Sequence, residues 1–120
     1  MTEIAENLAR VPAYGAQTFL QALQTVRILN FALWLEGNYH NTLGRFDQYI
    51  YPYYKADIEA GRIDDEQAQE LIEEFFLSLN RDSDLYHGMQ KGDNGQSLVL
   101  GGRTKDGKCG VNEITRMGLI

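Results

Sequence analysis

The apolar positions along the chain predict a mainly helical protein. From Thr18 to Gly37 they first follow one helix face and then point in nearly every direction, which predicts a helix over residues 18–36 that is covered on all sides. Over residues 65–80 the apolar residues instead form a single stripe: Ala68, Leu71, Ile72, Phe75, Phe76 and Leu79. This stripe predicts an amphipathic helix with its glutamates in solvent.

Helix breakers and short apolar runs define the remaining elements. Val11-Pro12 ends a first helix, because proline disfavours a helical residue before it. Pro52 suits the first position of another helix, which ends at Gly61. The predicted elements are helices at about residues 3–9, 52–60 and 111–120 and one buried strand at about residues 97–100. The sequence thus predicts a mainly α fold with one or two short strands.

Large apolar side chains crowd the second half of the 18–36 helix, among them Ile28, Phe31, Trp34 and Leu35. Burying one such side chain is worth roughly 1.5–3 kcal/mol. Four of them in water would forfeit roughly 6–12 kcal/mol, which rivals the ~5–15 kcal/mol stability of a whole domain. We therefore expect this helix to need partners on both sides, beyond those that this chain supplies.

Composition excludes several classes of function. The formal net charge is -6 and the pI is about 4.8, so no basic surface is expected for nucleic acid. A single cysteine cannot form an internal disulfide, which fits a reducing, cytoplasmic location. The most apolar run, residues 26–35, contains Arg27 and Asn30 and is shorter than the ~20 residues of a membrane span. We see no signal peptide and expect no contact with membranes.

The polar residues between Gly37 and Tyr54, read as a turn between two helices, are the leading site candidates. His40 follows a helix C-terminus, where the partial negative charge favours a protonated imidazole. It could donate to a substrate hydroxyl or carboxylate, and Asn41 could both donate and accept. The alternative is a histidine whose hydrogen bonds are made within the fold. Arg45 and Asp47 could form an ion pair, or the arginine could bind a carboxylate.

A second motif raises a nucleotide-binding alternative. Gly102 to Cys109 fits the phosphate-loop spacing G-x-x-x-x-G-K after an apolar run, but the last position carries Cys109 where the Mg²⁺-binding hydroxyl of Ser or Thr is needed. No apolar strand ending in aspartate follows to hold the metal. No metal site is expected, because His40 and His87 are far apart in sequence and lack neighbouring ligands.

The run GRFDQYIYPYYKADIEAGRI, preceded by GNYHNTL and by a helix beginning TFLQALQ, resembles the glycyl radical enzymes. The similarity is to their pyruvate formate-lyase-like branch, which includes radical dehydratases and decarboxylases. VPAYGAQTFLQALQ and SLVLGGRTKDGKCGVNEIT extend the resemblance over almost the whole chain. Known members are several times longer. The resemblance therefore implies that residues 1–120 are a partial domain of an α/β barrel, and that the remainder of the barrel is a partner.

The resemblance also implies a reaction and a pocket. Members of the family carry a glycyl radical, which a separate activating enzyme installs with S-adenosylmethionine and an iron–sulfur cluster. A cysteine thiyl radical then starts the cleavage of a C–X or C–C bond in a small polar substrate. The resemblance implies that His40 and Asn41 touch the substrate, and Asn41 replaces the usual serine, which leaves the substrate open. Arg45, Asp47, Tyr51 and Tyr53 belong to a structural signature.

The sequence lacks both radical motifs of the family, the Gly-Cys-x-Glu type and the Arg-Val-x-Gly-Tyr type. Cys109 lies in Lys-Cys-Gly-Val and is expected to be a bystander. The chain is therefore expected to be catalytically incomplete alone, and its end in mid-helix favours truncation. A free-standing helical module that binds another protein is the alternative from a different class.

Overall fold

The computed structural model describes residues 2–37, 41–79 and 97–119. Within these ranges the chain forms five helices and two short parallel strands. The helices are α1 (Thr2–Arg10), α2 (Phe19–Leu35), α3 (Phe46–Glu59), α4 (Asp65–Leu79) and α5 (Glu113–Met117), and the strands are β1 (Thr42–Gly44) and β2 (Ser97–Leu98). The mainly helical fold with one or two short strands that the sequence predicts is confirmed.

The core lies where α2, α3 and α4 meet. Phe46 on α3 stacks on Phe75 of α4, with ring centroids 5.1 Å apart. Phe19, the first residue of α2, is fully buried, and its ring meets Tyr54 edge to face at 5.9 Å. The other core residues are Ala22, Leu23, Leu43, Ile50, Ala68, Ile72, Leu79 and Ile114. Ile114 brings α5 into the same core, so all elements except α1 contribute to it or pack against it.

The predicted start of α3 at Pro52 is wrong, because the helix begins at Phe46 and contains the proline. A proline inside a helix costs about 3 kcal/mol. Burial on one face offsets this cost, since Phe46, Ile50 and Tyr54 are all at least 95% buried at spacings of four residues. The segment from Gly37 to Tyr54 is thus not a simple turn, because it holds β1 and the first half of α3.

The prediction of a buried strand over residues 97–100 is also wrong. β2 covers only Ser97 and Leu98, and Val99 is half-exposed. The backbone turns away after β2, because Gly101 and Gly102 adopt φ values of 70° and 81°, which favour glycine. An apolar run bounded by glycines therefore marked the position of the strand but not its length or burial.

The second half of α2 is only partly covered within the described residues. Trp34 is 8% exposed, but Leu35 is 63% exposed, and Leu29 and Leu33 are about half-exposed. Ile28 and Phe31 are half-buried. The apolar surface of this helix thus exceeds what the described chain covers, as its sequence predicts. None of the described helices combines the length and the apolarity needed to cross a membrane.

Asp57 on α3 anchors the start of α2. Its Oδ2 accepts a hydrogen bond from the backbone N–H of Phe19 at 2.8 Å, and its Oδ1 accepts two from the guanidinium of Arg62, at 2.8 and 2.6 Å. The carboxylate is nearly fully buried. A negative charge at a helix N-terminus is favourable, so this contact orients α2 on α3.

We expect Asp57→Ala to lower the free energy of unfolding of the 120-residue chain by about 2–3 kcal/mol, because it leaves the buried N–H of Phe19 without an acceptor. Urea denaturation followed by circular dichroism measures this change. Glu59→Ala is the matched control on the same helix, since Glu59 is exposed and its ion pair with Lys55, at 3.8 Å, lies at the surface. An equal loss of unfolding free energy in Asp57→Ala and Glu59→Ala would contradict the role of Asp57 as the anchor of α2.

Tyr54 connects α3 to the beginning of α4. Its ring is buried, and its hydroxyl donates to Oδ1 of Asp65 at 2.7 Å. Burial, together with the hydrogen bond to Asp65 and the nearby negative charges, raises the pKa of Tyr54 far above its usual value of 10. In the unfolded chain the same hydroxyl ionises near its usual pKa.

Stability should therefore fall as the pH rises above about 10, because the unfolded tyrosine loses its proton while the folded one keeps it. We expect Tyr54→Phe to make the free energy of unfolding about 1 kcal/mol lower at pH 7 and to flatten its decline between pH 10 and 11.5. Urea titrations across this pH range measure the slope. If the slope of the unfolding free energy against pH were the same in Tyr54→Phe as in the parent, the role of Tyr54 in this pH dependence would be refuted. Tyr14→Phe, at an exposed position, is the control for the stability change at pH 7.

Candidate functional site

The two substrate-binding candidates stand immediately before β1. His40 lies outside the described residues. Asn41 is half-buried and precedes Thr42, the first residue of β1. The Thr42 hydroxyl donates to the carbonyl of Ser97 at 3.0 Å, and the Val99 N–H donates to the carbonyl of Gly44 at 2.7 Å. The backbone that carries Asn41 is thereby attached to β2.

Arg45 and Asp47 hold the two polar backbone groups of Gly101 from opposite sides. Nη2 of Arg45 donates to the carbonyl of Gly101 at 3.0 Å and to that of Arg103 at 2.8 Å. Oδ2 of Asp47 accepts from the N–H of Gly101 at 2.6 Å. The ion pair that the sequence suggested is not formed, since within the described chain these two side chains bind a shared backbone segment and not each other. We call this arrangement the Gly101 clamp.

Three further side chains complete the clamp. The Thr115 hydroxyl donates to Oδ2 of Asp47, and the side-chain amide of Asn112 donates to the Asp47 carbonyl at 3.1 Å. The side-chain amide of Gln48 donates to the carbonyl of Gly110 at 2.6 Å. Sequence reasoning did not identify these three residues. The only visible signal was the capping-box spacing of Asn112 and Thr115 at the start of α5.

Asp47 is fully buried, and one of its oxygens carries all its side-chain hydrogen bonds. Oδ2 has two donors, whereas Oδ1 has no hydrogen-bond partner among the described residues. Burying a carboxylate is costly unless strong hydrogen bonds compensate for the lost water. Because the side chain has no contact with solvent, it cannot touch a substrate. Its chemistry is that of an internal anchor.

The tyrosines of the same segment are hydrogen-bond donors and packing groups. The Tyr49 hydroxyl donates to the carbonyl of Leu43 at 2.9 Å, and burial raises the pKa of Tyr49 to about 12. Burial and the neighbouring Glu113 raise the pKa of Tyr51 as well. Tyr51 and Tyr53 pack, half-buried, against the core. Tyr49 and Tyr51 therefore keep their protons at neutral pH.

The segment from Arg103 to Cys109 does not have the geometry of a phosphate-binding loop. Arg103 and Cys109 pair as an antiparallel bridge, and the N–H of Thr104 donates to the carbonyl of Lys108 at 2.9 Å. In a phosphate loop a helix starts at the lysine, so that its free N–H groups face the phosphate. Here α5 starts five residues after Lys108, at Glu113. The nucleotide-binding alternative is therefore wrong. We call this segment the hairpin.

Cys109 lies on the exposed side of this hairpin. A shallow depression next to it is lined by Tyr51, Glu113 and Arg116, among others. Among the described residues, no three His, Cys, Asp or Glu side chains come close enough to hold a metal ion. That Cys109 is a bystander remains a prediction.

Comparison with known proteins identifies the family. The profile of the family described as pyruvate formate lyase-like matches residues 1–119. Isethionate sulfite-lyase of Bilophila wadsworthia is 32% identical over 127 residues, which cover 99% of this chain and 15% of that protein. (2S)-3-sulfopropanediol dehydratase of Klebsiella oxytoca is 32% identical over 123 residues, covering 97% of this chain and 15% of that protein.

A solved structure shows the same local fold. The crystal structure of a glycyl radical enzyme from Archaeoglobus fulgidus superposes with a TM-score of 0.82 at 32% identity, over 98% of this chain and 16% of that one. The chain thus spans about 15% of the length of the relatives it matches. The resemblance noted in the sequence is confirmed: the chain belongs to the pyruvate formate lyase-like family of glycyl radical enzymes.

Proposed function

We propose that this chain forms one section of the barrel of a glycyl radical lyase or dehydratase and that residues 40 and 41 line its substrate pocket. The observation that carries the proposal is the match of nearly the whole chain to 15% of the isethionate and sulfopropanediol enzymes. The chain is catalytically incomplete in this reading, because neither radical motif occurs in its sequence. Its partner is the remainder of the barrel.

The open edges of the sheet support a place inside a larger barrel. Parallel strands are normally buried within larger sheets, and a two-stranded sheet is at best marginally stable in water. β1 and β2 pair only with each other among the described strands. Further strands of the complete enzyme would extend this sheet at its free edges. They would also bring polypeptide over the exposed leucines of α2.

The residues of this chain would bind and orient the substrate. An imidazole N–H of His40 would donate to a hydroxyl or an anionic oxygen, and the amide of Asn41 would supply both a donor and an acceptor. In the complete enzyme, the family's glycyl radical, which an S-adenosylmethionine and iron–sulfur activating enzyme would install, would generate the cysteine thiyl radical that abstracts the substrate hydrogen before the C–X or C–C bond opens. We infer a small polar substrate with a hydroxyl group, of the kind named for the relatives: isethionate or (2S)-3-sulfopropanediol.

In the complete enzyme, we expect His40→Ala and Asn41→Ala each to lower kcat/KM about 10–100-fold, because each removes a hydrogen bond to a polar or charged substrate group. Anaerobic assays with both named compounds measure this. The glycyl radical signal in the EPR spectrum should keep its amplitude, because the substitutions leave the radical loop intact. Glu59→Gln, at an exposed position on α3, is the control. Full activity in both alanine variants would sink the pocket assignment.

An apolar groove fits both the barrel section and the alternative of a free-standing interaction module. An apolar groove of about 440 Å³ lies between α1, α2 and α4. Its apolar lining is Ile4, Leu8, Leu20, Leu23, Ile28, Leu71 and Phe75. Ile4 and Leu8 are half-exposed, so α1 presents one apolar edge to solvent next to this groove. Such a surface is typical of a helix-binding protein as well as of a section cut from a larger core.

Experiments on the isolated 120-residue chain distinguish a barrel section from a free-standing interaction module. If it is a barrel section, we expect self-association in sedimentation velocity and a strong fluorescence increase of a dye that binds apolar surface, because α2 and the groove lack their covering. A compact monomer without a dye response would instead support the module. Adding the remaining part of the barrel as a separate polypeptide should abolish the dye signal in the first case only.

A further inference from the structure

The β1–β2 pair is too small to determine its own register. β1 has three residues and β2 has two, and Thr42 pairs with Ser97 while Gly44 pairs with Leu98. The pairing is therefore irregular, because two steps along β1 match one step along β2. A slip by one residue would shift a strand by ~3.3 Å and turn its side chains to the opposite face. Contacts other than the hydrogen bonds between β1 and β2 must therefore prevent that slip.

The Gly101 clamp joins the segments that follow the carboxyl ends of β1 and β2. Arg45 directly follows β1, and Gly101 lies three residues after the end of β2. Because Arg45 holds the carbonyl of Gly101 and Asp47 holds its N–H, both directions of slip would break a charge-assisted hydrogen bond. The Thr115 hydroxyl on Asp47 fixes the carboxylate to α5 at the same time.

We propose that Asp47, together with Arg45, is a positioning residue that sets the register of β1 against β2 and thereby the place of Asn41 in the pocket wall. This inference rests on the proposed function for the role of Asn41, but not for the register itself. Asp47 has no exposed surface, so it acts through the backbone and never through contact with the substrate.

Gly110 shows how tightly the hairpin is held in this position. A Cβ atom added there would lie 3.1 Å from the carbonyl oxygen of Gly102 and 3.3 Å from Nη2 of Arg45. The first distance is to backbone, which cannot rotate away. A side chain at position 110 would require these neighbours to move by a few tenths of an ångström, so glycine lets Arg45 approach the backbone next to the hairpin closely.

The test uses the complete, activated enzyme with Asp47→Asn and with the milder pair Thr115→Val and Thr115→Ser. We expect Asp47→Asn and Thr115→Val to raise KM about 10-fold while the radical signal stays within about twofold of the parent. Thr115→Ser keeps the hydroxyl donor and should retain the parent KM. Hydrogen exchange at the Val99 amide, which bonds to Gly44, should accelerate in the first two variants while exchange in α4 does not change.

A double-mutant cycle separates positioning from general stability. If Asp47 acts through Asn41, adding Asp47→Asn to Asn41→Ala should raise KM no further, whereas the KM increases of the two variants would multiply if their effects were independent. Multiplying effects, or an unchanged KM in Thr115→Val, would overturn the inference about Asn41. An unchanged Val99 exchange rate would overturn the register itself. If Asn41→Ala alone has no effect, the pocket role of Asn41 fails, and hydrogen exchange at the Val99 amide still tests the register.

Discussion

The structure depends on two opposite contacts with one residue, Gly101. The guanidinium of Arg45 donates to its carbonyl, and the buried carboxylate of Asp47 accepts from its N–H. These two hydrogen bonds fix the position and direction of the peptide segment. Hydrogen bonds with a charged partner are roughly twice as strong as neutral ones. They join the start of α3 to the end of β2, and through Thr115 to α5. Without them, the backbone link between β1 and β2 would be a sheet of only five residues, and apolar packing would have to hold the strand ends in place.

The clamp binds backbone atoms, and this has a consequence for the hairpin. Arg45, Asp47 and Gln48 contact the main chain of Gly101, Arg103 and Gly110, so the side chains between those positions are not constrained by these contacts. The segment from Lys105 to Cys109 is exposed, and Gly107 in its turn adopts a φ of 77°. A sequence that fits the phosphate-loop spacing therefore lies here without phosphate-binding geometry.

The described chain leaves the apolar surface of α2 and the apolar groove beside α1 open. Half-exposed leucines on α2 are unfavourable in water, and packing them against further polypeptide would lower the free energy of the folded state. In the proposed barrel, the remainder of the enzyme would supply that polypeptide. The core around Phe19, Phe46 and Phe75 is well packed. The chain thus combines a packed core with exposed apolar surfaces on α2 and beside α1.

The sequence by itself determined the helical class, the amphipathic α4, the apolar excess of α2 and the family, because these depend on local periodicity and on one long motif. It did not determine where α3 begins, since burial of Phe46 and Ile50 outweighs the preference of Pro52 for a first turn. Nor did it show that Arg45 and Asp47 share Gly101. Only the tertiary structure decided this, because hydrogen bonds that span 54 and 56 residues exist only when packing brings those segments together.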